Sequence, residues 1–489
     1  GAWSPVNAQS SMWTSCYKAI ANCNNYLEEF TGLTFSEYEQ ISDYEAEMYR
    51  YNNYQYEVRF LRAYFYFNLV RQYGDVPFTD HVLSTTEVNT LTRKPAQEVF
   101  DWIIKECDEI KDLIIPDYNN LGALVPSGES AETGRANKRT VLALKARTAL
   151  YAASPLFNSH QEGSQGYKEL WYRAAKANKE LIETCEDAGM RLIDDYENLW
   201  DAKSYSIAID ELIFGCRAIR ATNSFEKYNF PVGLENCRGG NCPTQTLVDA
   251  YELKDSGERP DKKADYDKNK PYYEGRDPRF EKTIAKNGDT KWPNWNETAL
   301  ETYQGGANAE PLSGGTPTGY YLKKYCQTSI NTTTAKPTTD NHTWIIYRLG
   351  EFYLNYAEAL FKYLGTAYAT NNEFPIPANE MVSKTRRRTK VNMPKFPAGL
   401  DNKLWWEKYQ NERMVELAFE GHRFWDVRRW KEGDKHFSSI DEMKIYKSGD
   451  SYSYRRVTVN RQWDDKMYFF PIPQSEKAKN PNLTQNPGW

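Results

Sequence analysis

Tyr56-Glu57-Val58-Arg59-Phe60-Leu61-Arg62-Ala63-Tyr64-Phe65-Tyr66-Phe67-Asn68-Leu69-Val70-Arg71-Gln72 sets the architecture. Phe60, Tyr64, Phe67 and Val70 recur at steps of four, three and three, the spacing of one helix face. Gly74 and Pro77 then stop the helix, glycine by its backbone freedom and proline by its missing N–H. Working outward, Val99, Ile103, Ile110 and Leu113 share one side of a helix that starts after Pro95 and ends before Pro116. A third helix is expected over Lys138 to Ala153, where Ala143, Ala146 and Ala152 allow close helix approach, and a fourth over Trp171 to Cys185. Leu349, Tyr353, Tyr356 and Leu360 mark another, and the last strong one runs from about Lys403 to Gly421. The chain therefore reads as mainly α, a helical-repeat scaffold of the tetratricopeptide type, although no clean 34-residue period is visible.

Residues 231–340 break this pattern. Helical periodicity disappears, and Gly239-Gly240, Gly305-Gly306, Gly314-Gly315 and Pro317 punctuate the stretch. Its aromatics, among them Trp292, Trp295, Tyr303, Tyr320 and Tyr321, are too many for a disordered segment. The expectation is one domain over 1–489, with a helical scaffold over about 1–230 and 341–489 and an ordered, loop-rich module over about 231–340.

Composition narrows function. The 62 basic and 67 acidic residues leave a net charge of −5, without the dense basic face that nucleic acid requires. Arg386-Arg387-Arg388 is the densest basic cluster and reads as a solvated turn. The longest apolar helix-like run, Ala63 to Val70, contains Asn68 and falls far short of the roughly 18 residues a membrane span needs. Eight cysteines are too few for a disulfide scaffold; Cys237 and Cys242 flank a turn and would close only a small loop, without the ligands that zinc requires. The outlier is 36 Tyr and 14 Trp, side chains with a flat apolar face and a polar edge that serve ligand surfaces as well as cores.

Catalytic signatures are missing. There is no nucleophile elbow, zinc-binding HExxH, phosphate loop or dinucleotide-binding glycine motif, and the five histidines do not pair at ligand spacing. Glu412, Glu416 and Glu420 recur on one helix face and form the one acidic constellation that merits a hydrolase reading. Arg413 and Arg423 alongside would keep such carboxylates ionised, which opposes a general-acid role and favours an ion-pair network joining helices.

Five blocks, in order, resemble the SusD/RagB family of nutrient-binding lipoproteins of the Bacteroidetes cell surface. They are the opening helix with Tyr73-Gly74-Asp75-Val76-Pro77; Arg139 to Asn158 with its Ser154-Pro155-Leu156-Phe157-Asn158 turn; and Tyr347-Arg348-Leu349-Gly350-Glu351 through Glu358-Ala359. The fourth is Glu412-Arg413 through Glu420-Gly421-His422-Arg423-Phe424-Trp425-Asp426-Val427-Arg428-Arg429-Trp430, and the fifth is Phe470-Pro471-Ile472-Pro473 with Gln485-Asn486-Pro487-Gly488-Trp489. These blocks read as scaffold: Arg59, Arg62, Arg423, Arg428 and Arg429 need acidic or carbonyl partners.

The resemblance implies four tetratricopeptide-like helix pairs, capture of oligosaccharides or glycans without cleavage, and delivery to a TonB-dependent transporter of the SusC type. It also implies an outer-membrane, surface-exposed protein held by a lipidated N-terminal cysteine that would precede Gly1. No cofactor follows from it, and calcium is left open. Sugar recognition needs aromatic faces and planar polar groups, and Trp292, Asn294, Trp295 and Asn296 offer both within seven residues if Pro293-Asn294 makes a turn. Tyr303 and Tyr273 extend this expected glycan site. The competing reading is a mini-core beneath the loop. In family members the loop after Gly-Asp-Val-Pro also contributes aromatics, but here Phe78 to Lys94 has none past Phe78. The alternative function is a helical-repeat module that binds only protein.

Overall fold

The computed structural model describes residues 3–489 apart from 8–9, 33, 119–120, 122–123, 125–133, 218–219, 262–264 and 267–273, and apart from the side chains of 265–266. It is mainly helical, 43% helix against 11% strand. The five leading helices are α1 (Trp13–Glu29), α2 (Tyr44–Tyr73), α3 (Ala96–Ile110), α4 (Lys138–Ala153) and α5 (Gln165–Asp187). Each packs on the next, and α5 packs on Leu349–Leu364, which is followed by Ala378–Arg386 and Asn402–Glu416 in the same serial fashion. Taken in twos these are four helix pairs. The third pair closes only after the stretch 188–348, which is why no fixed repeat length shows in the sequence.

Local chemistry places the ends. Asn137, Ser164 and Asp401 accept the N–H of Thr140, Tyr167 and Leu404, side-chain caps for helices that otherwise leave their first donors unpaired. Helix α4 is buried on every side from Thr140 to Ala153, and its alanines let α3 and α5 approach closely. Helix α2 ends at Gly74, whose φ of 71° suits glycine, and an added Cβ there would sit 3.2 Å from the Phe469 ring. The Gly-Asp-Val-Pro turn then pairs Val76–Pro77 with Arg93–Lys94.

The chain end is tied to the same turn. Asn486 Nδ2 donates to the carbonyls of Tyr73 (2.9 Å) and Phe470 (2.7 Å), and Arg93 reaches Asn486 Oδ1. The first and last sequence blocks thus pack as one unit. Among the described residues no helix is long and apolar enough to cross a membrane.

The loop-rich stretch is ordered around short elements, including Gln245–Ala250, Arg279–Thr283 and the paired strands Ile284–Ala285 and Tyr321–Leu322. Part of the span expected as helical scaffold belongs with it instead. Ser439–Ser448 and Ser451–Asn460 form an antiparallel hairpin, and Met443, Ile445 and Tyr454 pack against Val248, Tyr251, Phe280 and Tyr320. Gly449 turns it at φ 58° in the first position of a two-residue loop, where glycine is favoured.

Candidate functional site

The loop expected to bind sugar divides its side chains. The Pro293-Asn294 turn forms, with Asn296 N–H donating to the Pro293 carbonyl at 2.8 Å. It sends Trp292 inward: the ring is 5% exposed and packs with Phe230, Leu300, Tyr321 and Cys326. Trp292 is therefore corrected from sugar platform to mini-core, because Phe230 meets it edge-on at 5.4 Å. Asn296 is corrected likewise. It is buried, its Nδ2 donates to the Trp292 carbonyl, and its Oδ1 accepts the Thr298 hydroxyl at 2.9 Å.

Three expected residues stay open. Trp295 is half-buried, its ring fixed by Nε1 donating to the Ile330 carbonyl at 2.9 Å, and the Asn294 side chain beside it is exposed. Tyr303 is half-buried with a partner that sequence reading missed, Tyr452 of the hairpin at 5.8 Å, and Lys447 Nζ lies 5.0 Å from its ring. Tyr273 lies outside the described residues.

A more enclosed site sits elsewhere. An open cleft of about 630 Å³ lies between α1, the loop after Pro77 and the stretch 476–483. Tyr17, half-buried on α1, forms its aromatic wall, and Trp13, one turn before it and 4.9 Å between centroids, is buried in the core behind it. Tyr17 donates its hydroxyl to the Pro77 carbonyl at 2.8 Å, which fixes the ring, and burial pushes its pKa well above the ordinary value. Asn24 is spent on structure, accepting from Arg62 and donating to the His81 carbonyl. Asn25 and Asn89 are exposed on the cleft. Past Phe78 the loop lacks aromatics, as its sequence shows, and α1 lines the cleft with Tyr17 instead. The available signal was the i, i+4 spacing of Trp13 and Tyr17.

The acidic constellation is a lock. Glu416 is fully buried and meets Arg279 at 2.7 Å, Arg348 at 2.8 Å and Arg388 at 3.0 Å. Glu412 pairs with Arg279 and Arg386, and Glu420 with Arg348 and Lys324. Burial works to raise the Glu416 pKa, but the three guanidinium groups outweigh it and hold the carboxyl far below the usual range. The network is the one expected, with different cations: Arg413 pairs instead with Asp426. Arg386-Arg387-Arg388 is corrected too, since Arg386 and Arg388 are buried in this network and only Arg387 is exposed. Arg59 and Arg62 find Glu106, and Arg428 donates to the Met467 carbonyl, acidic and carbonyl partners as expected; Arg428 also lies 3.5 Å over the Phe424 ring. Cys237 and Cys242 are free thiols, and among the described residues no group of three or more His, Cys, Asp or Glu is placed to hold a metal ion.

Comparison with known proteins agrees with this architecture. The family model described as "SusD family" matches residues 211–489, and one described as "Starch-binding associating with outer membrane" matches 2–150. The SusD-like protein P2 of Formosa agariphila is 23% identical over 98% of this chain and 80% of its own length. A SusD-like protein of Bacteroides ovatus is 22% identical over 98% and 81%. Among solved structures, a SusD-like protein from Bacteroides fragilis superposes with a TM-score of 0.76 at 27% identity, covering 98% of this chain and 86% of that one. A laminarin-binding SusD-like protein shares the fold, with a TM-score of 0.59 at 20% identity over 100% of this chain and 87% of its own. With helix pairs, ion-pair lock and terminal clasp in one chain, and a match over more than half its length, the protein belongs to the SusD family.

Proposed function

We propose that this protein binds oligosaccharides or glycans at the cell surface without cleaving them and passes them to a TonB-dependent transporter of the SusC type. It would act at the outer membrane, attached there through an N-terminal lipid. The observation that carries the reading is the α1 cleft, where the fixed Tyr17 ring, backed by the buried Trp13, stands beside the Asn25 and Asn89 amides. An apolar face with a few planar polar groups suits a pyranose, whose C–H side stacks while its hydroxyls hydrogen-bond. The matched family described as starch-binding and the laminarin-binding structural neighbour support the ligand class. The Trp295–Asn294 surface and the Tyr303–Tyr452 pair are offered as outer contacts for a longer chain. The reading requires no cofactor.

Native gels cast with a panel of polysaccharides test it. At least one should retard the wild type, with no sugar released, and Tyr17→Ala should weaken retardation about tenfold, the value of one lost aromatic stack. Tyr17→Phe keeps the ring and should bind. Retardation lost in Trp295→Ala with Tyr303→Ala, but not in Tyr17→Ala, would move the site to the loop surface. Retardation by no polysaccharide, with capture of a transporter, would favour the protein-only module.

A further inference from the structure

A second, smaller opening lies where the loop-rich module meets the helical frame, on residues that none of the α1 cleft walls share. Phe225, Tyr325, Trp344 and Phe419 line it with Asn241 and Glu420 as polar groups, around about 320 Å³. Tyr325 has φ 68° and Phe419 φ 60°, the left-handed region that costs a bulky side chain free energy. Two of four rings are thus held against backbone preference, and both are aimed at this one opening. His342 stacks on Trp344 at 5.6 Å and 10°, while Phe225 and Tyr325 close in at 4.8 and 5.2 Å. The indole is thereby fixed and half-buried, and among the described residues its Nε1 makes no hydrogen bond to protein.

The electrostatics select the ligand. Glu420 is neutralised by Arg348 at 2.8 Å and Lys324 at 2.7 Å, so no uncompensated charge faces the opening and an ion gains nothing there. Asn241 is exposed at the rim and donates Nδ2 to Asn229 Oδ1 at 2.6 Å, which leaves its amide oxygen to accept. The volume is at the low end of the range of about 300–1,000 Å³ for small-molecule sites. We propose that this pocket takes one neutral hexopyranose unit, its C–H face against the aromatic wall and its hydroxyls on the Asn241 oxygen and the Trp344 Nε1–H. The inference rests on the carbohydrate-binding reading and adds a second contact to it.

Saturation-transfer NMR with the methyl glycosides of glucose, galactose, mannose and N-acetylglucosamine tests the pocket directly. Trp344 also packs in the cluster of Tyr196, Trp200 and Val391, so Trp344→Ala is paired with Asn241→Trp, which fills the opening from an exposed position. Measured in a Tyr17→Ala background, which removes the α1 contribution, at least one glycoside should still give a signal, and its affinity should fall about tenfold when either variant is added, the value of a lost stack. No signal from any glycoside, or a signal unchanged in Asn241→Trp, overturns the pocket. If the wild type is still retarded in polysaccharide gels, only the pocket has failed; if it is not, the carbohydrate reading has failed with it.

Discussion

At Trp292 the indole packs under Phe230, whereas three residues on Trp295 keeps part of its ring open. Composition gives both the same promise, and burial separates them. Trp292→Ala should cost about 3–5 kcal/mol of stability, the range for emptying a buried tryptophan site, and show as a lowered melting temperature. Trp295→Ala should leave that temperature within a degree or two of wild type, and any effect should appear in polysaccharide retardation instead. Which ring faces inward was not legible, because it depends on Phe230, Leu300 and Tyr321 arriving from other stretches. Trp13 and Tyr17 were missed for a similar reason. Their spacing is plain in the sequence, but the cleft exists only once the loop after Pro77 and the stretch 476–483 close over α1.

The helices were legible wherever one face is apolar and the ends carry caps or breakers. The Lys138–Ala153 bounds are those expected, and Ala96–Ile110 starts at the proline that announces it. The hairpin was missed because the span 341–489 was read as helical scaffold, although Ser448-Gly449-Asp450-Ser451 separates two segments rich in Ile, Val, Thr and Tyr. The ion-pair lock was legible only by half. The Glu412, Glu416 and Glu420 face was visible, but Arg279 reaches it from the loop-rich module, which periodicity does not connect to the frame. Glu416→Gln leaves three buried guanidinium groups undercompensated and should cost about 3–5 kcal/mol in denaturant unfolding. The pH dependence follows from the depressed Glu416 pKa. Its stabilisation is complete above the unfolded glutamate value of about 4.3 and is lost as pH falls below that toward the folded value. Melting temperatures measured from pH 3 to 7 should fall on the acid side, and Glu416→Gln should flatten the fall.

Across the whole molecule, sequence ends meet. Asn486 holds the Tyr73 and Phe470 carbonyls, and Trp489 donates to those of Lys466 and Phe469, so the final residues clasp the turn after α2. Asn486→Ala removes donors from buried carbonyls and should cost about 1–3 kcal/mol, read as a shifted denaturant midpoint. The same clasp sets the cleft, because Asn480 Nδ2 holds the Leu91 carbonyl at 2.8 Å and fixes one wall against the loop. In the function proposed above, the helical frame, the lock and the clasp together hold an open aromatic site that grips sugar without cleaving it. The crystal structure of this protein with the oligosaccharide that the gels select tests that claim most directly. The account predicts an intact sugar chain stacked on Tyr17 within reach of Asn25 and Asn89; an empty α1 cleft with the sugar bound elsewhere, or a cleaved chain, would contradict it.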